Sequence, residues 1–386
     1  MRVLSILGTR PEAIKMAPLV LALQQEANVQ SALCVTAQHR SLLDPIIDLF
    51  GLKPDFDLDI MEPNQSLNQL ASRLMRKIDN VLEETKPDYV LVHGDTTTAM
   101  ACGLAAFHRR IPVGHVEAGL RTGDMSQPFP EEMNRCVLDI FSTHLFLPTD
   151  AARRNAVKAG ATGRLWVTGN TIIDAISLMK DKLLNDSDLR AGIEQRFPWL
   201  DPTRRLLLVT GHRRENFGSG VDGICVALKQ LAKRDDLQIV YPVHPNPNIR
   251  GPVYVALGSS PNVKLIDPLD YLDFVWFMQR AHILLTDSGG LQEEGPFLGK
   301  PVLVMRDVTE RPEAISAGTA RLVGTDASRI VANVNLLLDD EEQYRRFGRR
   351  SNPYGDGLAS RRIVDALCGR PVAELHIHDS VLASYV

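Results

Sequence analysis

The sequence predicts an α/β protein made of two Rossmann-like, doubly wound domains. Three observations carry that expectation. Short apolar runs alternate with helix-length amphipathic stretches along the chain, the pattern of a parallel sheet with right-handed crossovers and helices on both faces. The apolar runs are too many for one comfortable open sheet. Polar and glycine residues gather just after the runs, at the strand ends where open parallel sheets hold ligands.

In chain order, strands are expected at 3–7, 89–93, 113–116, 144–147 and 165–168, with helices at 16–26, 67–84 and 131–141 between them. The second half repeats the scheme with strands at 206–210, 238–241, 263–266, 283–286 and 301–304. The best boundary lies near Gly169-Asn170, where a strand ends and a helix starts. The expected domains are 1–169 and 170–357, the first rejoined by a C-terminal helical segment, 358–386, after the turn-rich stretch "NPYGDG".

Composition narrows the function. The 386 residues are 44% hydrophobic and 23% charged, enough for two cores. A net charge of −4 argues against a nucleic-acid binder. No apolar run reaches the ~20 residues of a membrane span, and the N-terminus reads as a strand rather than a signal peptide. The five cysteines form no C-x-x-C pair, which fits a reducing compartment and not a disulfide framework or zinc knuckle. A cytoplasmic protein is expected.

The strand ends carry the candidate chemistry. They hold Gly8-Thr9-Arg10, Gly94-Asp95-Thr96, Glu117-Ala118-Gly119, Gly211-His212-Arg213-Arg214, His244 and Asp287-Ser288-Gly289-Gly290. Polar residues from both halves at equivalent ends point to one cleft between domains. Ser288, Gly289 and Gly290 precede a helix beginning near Leu291. Glycines there let a phosphate approach free backbone N–H groups at the positive end of the dipole, though Asp287 or Ser288 could equally cap the helix. Glu294, one turn on, suits ribose hydroxyls or simply the helix dipole. Asp95, Glu117 and Glu131 are carboxylates that a water-poor cleft would tune for proton transfer. The alternatives are a helix cap for Asp95 and a dipole partner for Glu131. His93 reads as a core residue. His212, flanked by Arg213 and Arg214, is the best histidine for chemistry. Arg10, Lys15, Arg135 and Arg311 add positive charge suited to a diphosphate, or form surface ion pairs. No H-E-x-x-H, Cys/His quartet or aspartate triad argues for a dedicated metal site.

One motif misleads. Gly218-Ser219-Gly220-Val221-Asp222-Gly223 matches G-x-G-x-x-G. The preceding strand ends too far upstream, at Thr210, and the next strand does not end in the acidic residue that a dinucleotide ribose needs. Nicotinamide binding is not expected; these glycines read as a lead-in to a helix starting near Val221.

The stretches "GTRPEAIKMAPL", "HGDTTT", "HVEAGLRTGD", "PEEMNR", "GHRREN", "DSGGLQEE" and "RDVTERPEA" resemble the bacterial non-hydrolysing UDP-N-acetylglucosamine 2-epimerases, from Met1 to about Gly369. The resemblance implies a GT-B architecture and reversible conversion of UDP-N-acetylglucosamine to UDP-N-acetylmannosamine, supplying sugars for surface polysaccharide. It implies a homodimer with no cofactor. It places Ser288, Gly289 and Gly290 at the diphosphate, Glu294 at the ribose, and Phe274 and Leu269 at the uracil. It sets Arg10, Lys15, Asp95, Glu117, His212 and Arg311 against ligand or chemistry, with Glu131 a third acidic position. Gln38, Glu131, Arg213 and His244 match positions implicated in activation by a second substrate molecule, although Ser41 and Asn64 replace other polar residues there. Gly295 and Phe297 stand where Ala and Ser are expected, and 376–386 lies outside the resemblance.

The implied chemistry suits these residue types. The proton on carbon 2 becomes acidic only when the bond from carbon 1 to UDP breaks. Donors at Arg10, Arg213 and the Ser288 turn would stabilise the departing UDP. A carboxylate then takes the proton to give a glycal, and reprotonation from the other face with return of UDP gives the epimer. No hydride moves, so no nicotinamide is needed. A hydrolysing epimerase, a GT-B glycosyltransferase and an inactive nucleotide-sugar sensor are the competing readings.

Overall fold

The computed structural model describes residues 1–36, 40–62, 64–348 and 351–376. The chain divides into two compact units, Met1–Ser177 with Tyr354–His376, and Leu178–Pro353. Both are parallel α/β sheets.

Among the described residues the first unit has a seven-stranded sheet. Its strands are β1 (Arg2–Leu7), β2 (Gln30–Val35), β3 (Phe56–Asp57), β4 (Tyr89–His93), β5 (Val113–Val116), β6 (His144–Leu147) and β7 (Arg164–Val167), in the order β3-β2-β1-β4-β5-β6-β7. The second unit has β8 (Arg205–Thr210), β9 (Leu237–Pro242), β10 (Val263–Ile266), β11 (Ile283–Thr286), β12 (Val302–Val304) and β13 (Ala320–Leu322), ordered β10-β9-β8-β11-β12-β13. In each sheet the strand order reverses once, between β1 and β4 and between β8 and β11. Those are the switch points beyond which such sheets form a ligand crevice.

The expected strands are present. β2, β3 and β13 were not legible: β2 is buried only over its last three residues, and β3 and β13 span two and three residues. The first helix runs Arg10–Gln24, starting earlier than expected. Thr9 caps it, and the Glu12 carboxylate accepts from the Gly8 and Thr9 N–H groups at 3.0 and 2.7 Å. This is a capping box with Pro11 in the first turn, so the T-R-P-E sequence itself marks the start.

The division between units falls inside the Thr171–Asn185 helix, not at Gly169-Asn170. Local bonding explains this. The Asn170 N–H donates to the Tyr354 carbonyl at 2.7 Å, and the buried Asp174 carboxylate accepts from the Ala359 and Ser360 N–H groups at 3.1 and 2.7 Å. The start of that helix therefore belongs with the returning segment. Among the described residues the expected terminal helical segment is helical over Ala359–Leu367, and 377–386 lie outside them.

The glycine motif is not a lead-in loop. Gly218, at φ +74°, caps a helix running Ser219–Leu231, so Gly220 and Gly223 are helical. A Cβ on Gly223 would lie 2.3 Å from the Thr325 carbonyl oxygen, so close backbone packing accounts for that glycine. No described helix is long and apolar enough to cross a membrane.

Candidate functional site

The first unit brings its acidic loops to the β1/β4 switch point and the adjoining end of β5. Asp95 follows β4, and burial pushes its carboxyl up; the Arg135 guanidinium pulls it down, while the charges of Glu117 and Glu131 push it up again. Arg135 Nη1 lies 3.4 Å from Asp95 Oδ2. Glu132, which is buried, holds Arg135 through its Nε at 2.8 Å and also accepts from the Thr122 and Gly123 N–H groups. Glu131 is the first residue of the same helix, Glu131–Phe141.

Glu117 follows β5 in a left-handed conformation, φ +64°. Its carboxylate pairs with Lys15 and accepts from Asn170 Nδ2 at 2.7 Å. His93 is buried, as expected for a core residue, with Nε2 3.8 Å from Glu117 Oε2. Burial pushes its imidazole down to about 3, so it stays neutral although Glu117 faces it. Lys15 and Glu117 thus form a fixed pair, held in a geometry that buried partners specify.

A buried chain of groups lies beneath these loops. His115, inside β5, sets Nδ1 2.6 Å from Asp139 Oδ1 and Nε2 2.7 Å from the Gly94 carbonyl oxygen. Asp139 Oδ2 accepts from the Gly119 N–H at 3.1 Å and pairs with Arg121 at 2.6 Å. Asn134 Nδ2 donates to the Asp95 carbonyl at 2.9 Å. On the other side, Thr96 donates to the buried Glu12 at 2.6 Å, joining the β4 loop to the β1 loop. Glu12, Asn134 and Asp139 were missed in the sequence. The T-x-x-E box offered a signal for Glu12; the other two offered only their spacing on one helix.

The second unit organises its site around Asp287, at the end of β11. Its carboxylate is buried and turns back onto the β8 loop instead of capping the next helix. It accepts from the His212 and Arg213 N–H groups, both at 2.9 Å, and from Asn216 Nδ2 at 3.1 Å, with His212 Nδ1 3.2 Å away. Burial pushes the Asp287 carboxyl up, but these bonds outweigh it and hold the group below its usual range. The His212 side chain is 42% exposed, so it is reachable from solvent while its loop is fixed. Its ring centroid lies 6.0 Å from that of His244, whose imidazole burial pulls down.

Arg213 pairs with Glu310 at 3.0 Å, and Arg311 pairs with the buried Glu293. A Cβ on Gly289 would meet Glu310 Oε1 at 2.9 Å, and one on Gly290 would meet Glu294 Oε1 at 3.2 Å. Both oxygens are the far ends of flexible glutamate side chains, which can turn aside, so this crowding alone does not require glycine at either position. The Ser288 N–H donates to Thr286 Oγ1 at 2.9 Å, and Gln292 Nε2 donates to the Ser288 carbonyl at 3.2 Å. Phe274 is half-buried on the Tyr271–Arg280 helix, with Leu269 half-buried just before it. Arg10 is the first residue of its helix and half-buried. Gln38 lies outside the described residues.

The two departures have local explanations of different strength. A Cβ on Gly295 would lie 2.6 Å from Val302 Cγ2 and 2.7 Å from Leu284 Cδ1, so the Leu291–Phe297 helix packs too closely on β11 and β12 here for Ala without a shift. At Phe297, the Lys180 ammonium lies 5.9 Å over the ring. Among the described residues no group of three or more His, Cys, Asp or Glu side chains is placed to hold a metal ion.

Residues 21–368 match the family model for UDP-N-acetylglucosamine 2-epimerase. The chain is 54% identical over 369 residues to the UDP-N-acetylglucosamine 2-epimerase of Escherichia coli K12, covering 95% of this chain and 98% of that protein. Among solved structures it is similar to the Neisseria meningitidis UDP-GlcNAc 2-epimerase bound to UDP-GlcNAc, with TM-score 0.87 and 46% identity over 96% of this chain and 100% of that one. It is also similar to the Methanocaldococcus jannaschii enzyme in complex with UDP-GlcNAc and UDP, with TM-score 0.78 and 32% identity over 96% and 100%. With these relatives, two parallel-sheet domains are the GT-B fold class.

Proposed function

Because the chain belongs to the UDP-N-acetylglucosamine 2-epimerase family, a family of isomerases, we propose that it inverts carbon 2 of UDP-N-acetylglucosamine by eliminating and re-adding UDP. The carrying observation is Asp95, a carboxylate whose burial raises its proton affinity at the β1/β4 switch point, beside Arg135. Such a group exchanges a proton nearer neutral pH than a free aspartate does.

The nucleotide is assigned to the second domain. Ser288, Gly289 and Gly290 take the diphosphate, Glu294 the ribose, and Phe274 with Leu269 the uracil. Arg213 and Arg311 take up charge as the bond from carbon 1 to UDP breaks, joined by Arg10. That bond's electron pair leaves with UDP, and the proton on carbon 2 leaves as the glycal double bond forms. Asp95, Glu117, Glu131 and His212 are the candidate proton carriers, and epimerisation requires delivery from the opposite face. Lys15 holds Glu117 in place through their ion pair. The product would feed synthesis of surface polysaccharide containing N-acetylmannosamine-type sugars. A second substrate molecule held by Gln38, Glu131, Arg213 and His244 would act as an activator, and the working form would be a homodimer.

Incubation with UDP-N-acetylglucosamine in deuterated water tests the reading. Deuterium at carbon 2 with UDP still attached is expected, together with the epimer. Free UDP as the chief product would mean hydrolysis, and the absence of both exchange and epimer would overturn the proposal.

A further inference from the structure

We infer that Asp139 and His115 form a buried, charged anchor that positions Asp95 and Glu117, with His115 carrying a proton on both ring nitrogens. The inference rests on the reading of Asp95 as a proton carrier.

The protons can be counted from the partners. The Gly94 carbonyl only accepts, so His115 Nε2, 2.7 Å away, must donate. On the other side Nδ1 faces Asp139 Oδ1 at 2.6 Å. Asp139 Oδ2 already accepts from Gly119 and pairs with the Arg121 guanidinium. Burial pushes the Asp139 carboxyl up, yet the His115 hydrogen bond and the permanently charged Arg121 guanidinium hold it below its usual range. An ionised carboxylate must accept from Nδ1, so the ring donates at both ends. Both side chains are fully buried, so the His115 charge is tolerable only opposite the Asp139 carboxylate, which the Arg121 guanidinium also faces.

The anchor has two arms. One is the His115 bond to Gly94, which fixes the peptide plane leading into Asp95; Asn134 fixes the plane leading out. Gly94 has φ +67°, a left-handed turn between the end of β4 and Asp95. The other arm is the Gly119 bond to Asp139, which closes the turn holding Glu117. Glu117 and Gly119 both have positive φ, at +64° and +81°. A non-glycine residue such as Glu117 holds that conformation only where its surroundings impose it. One carboxylate, Asp139, therefore sets the loops of two proposed proton carriers, although it touches neither of their side chains in any bond described above.

The test uses the intact protein. In a histidine ¹⁵N-labelled sample, the ring of His115, assigned through its own side-chain correlations, should show both nitrogens protonated and two ring N–H correlations. A bare ring nitrogen would overturn the charged anchor. His115→Gln and Asp139→Asn should each lower kcat about 100-fold, the scale of a 1 Å misplacement. KM and UDP affinity should stay within about twofold. A purely structural role would lower stability and weaken UDP binding together with kcat. Unchanged kcat in both variants would overturn positioning. If neither folds, the ring proton count on the parent protein still decides. Failure of the proton-carrier reading looks different: Asp95→Asn would then be active, whereas failure of this inference leaves Asp95→Asn inactive and His115→Gln active.

Discussion

The acidic loops of the first domain and the His212 loop of the second are both strand-end loops held by a buried aspartate, yet they are held differently. Asp139 acts through the His115 ring, which reaches the carbonyl of the peptide before Asp95. Asp287 grips the backbone N–H groups of His212 and Arg213 directly. The carboxyl groups also diverge. Burial wins at Asp95 and raises it, whereas donated hydrogen bonds win at Asp287 and depress it. Burial alone therefore does not decide a carboxylate's task; the number of donors aimed at it does. Asp95, with few donors, suits proton exchange. Asp287, saturated with them, is a fixed anion that builds a loop.

The largest break in this comparison should come from Asp95→Asn. Deuterium exchange should fall about 10³-fold, within the range for losing a general acid–base group. UDP affinity measured by calorimetry should stay nearly unchanged, because the nucleotide is assigned elsewhere. Lost UDP affinity would move Asp95 to a binding role.

Asp287→Asn should instead act on stability and nucleotide binding together. Losing charge-assisted bonds to His212, Arg213 and Asn216 should cost about 2 kcal/mol, read as a lower Tm. The pH dependence has a definite sign. A depressed folded pKa contributes stability that is present above the unfolded value, about 4, and is lost as pH falls through the folded one. The Asn variant should lack that acid-side loss; an unchanged acid limb would show that Asp287 is not a stabilising anion.

Arg135→Met sharpens the same contrast from the other side. It removes the cation that pulls Asp95 down against burial, so the Asp95 carboxyl should rise further. The acid limb of the kcat/KM profile should then move to higher pH, with a smaller loss of rate than in Asp95→Asn. A limb that stays in place would assign it to another group.

The smallest effect should be Gly295→Ala. The added methyl would push against Val302 and Leu284. Overpacking should cost about 1 kcal/mol, lowering Tm and leaving kcat alone. A rise in Tm would mean the strands yield and helix propensity dominates.

Legibility in the sequence followed range. Buried strands such as β4, β5, β8 and β11 announce themselves by apolar runs, and the polar residues after them are visible at once. β2 is exposed or half-buried over its first half and β3 spans only two residues, so nothing local separates them from loop. His212 was recognisable as a candidate from its place after a strand, but the Asp287 carboxylate that holds its backbone lies 75 residues away and no neighbouring residue points to it. Asp287 looked like a helix cap for the same reason. The Glu131–Phe141 helix was found, but its acidic first turn drew attention away from Asn134 and Asp139.

By itself, the sequence determined the strand–helix alternation, the parallel sheets and the gathering of polar residues at their carboxyl ends. Periodicity and turn chemistry are written in neighbouring residues. Only the tertiary structure decided which donors meet which carboxylate, and hence which acid is raised and which is depressed. Those meetings depend on strand order. The reversals at β1/β4 and β8/β11 bring together residues distant in the chain, and no local pattern encodes such a pairing.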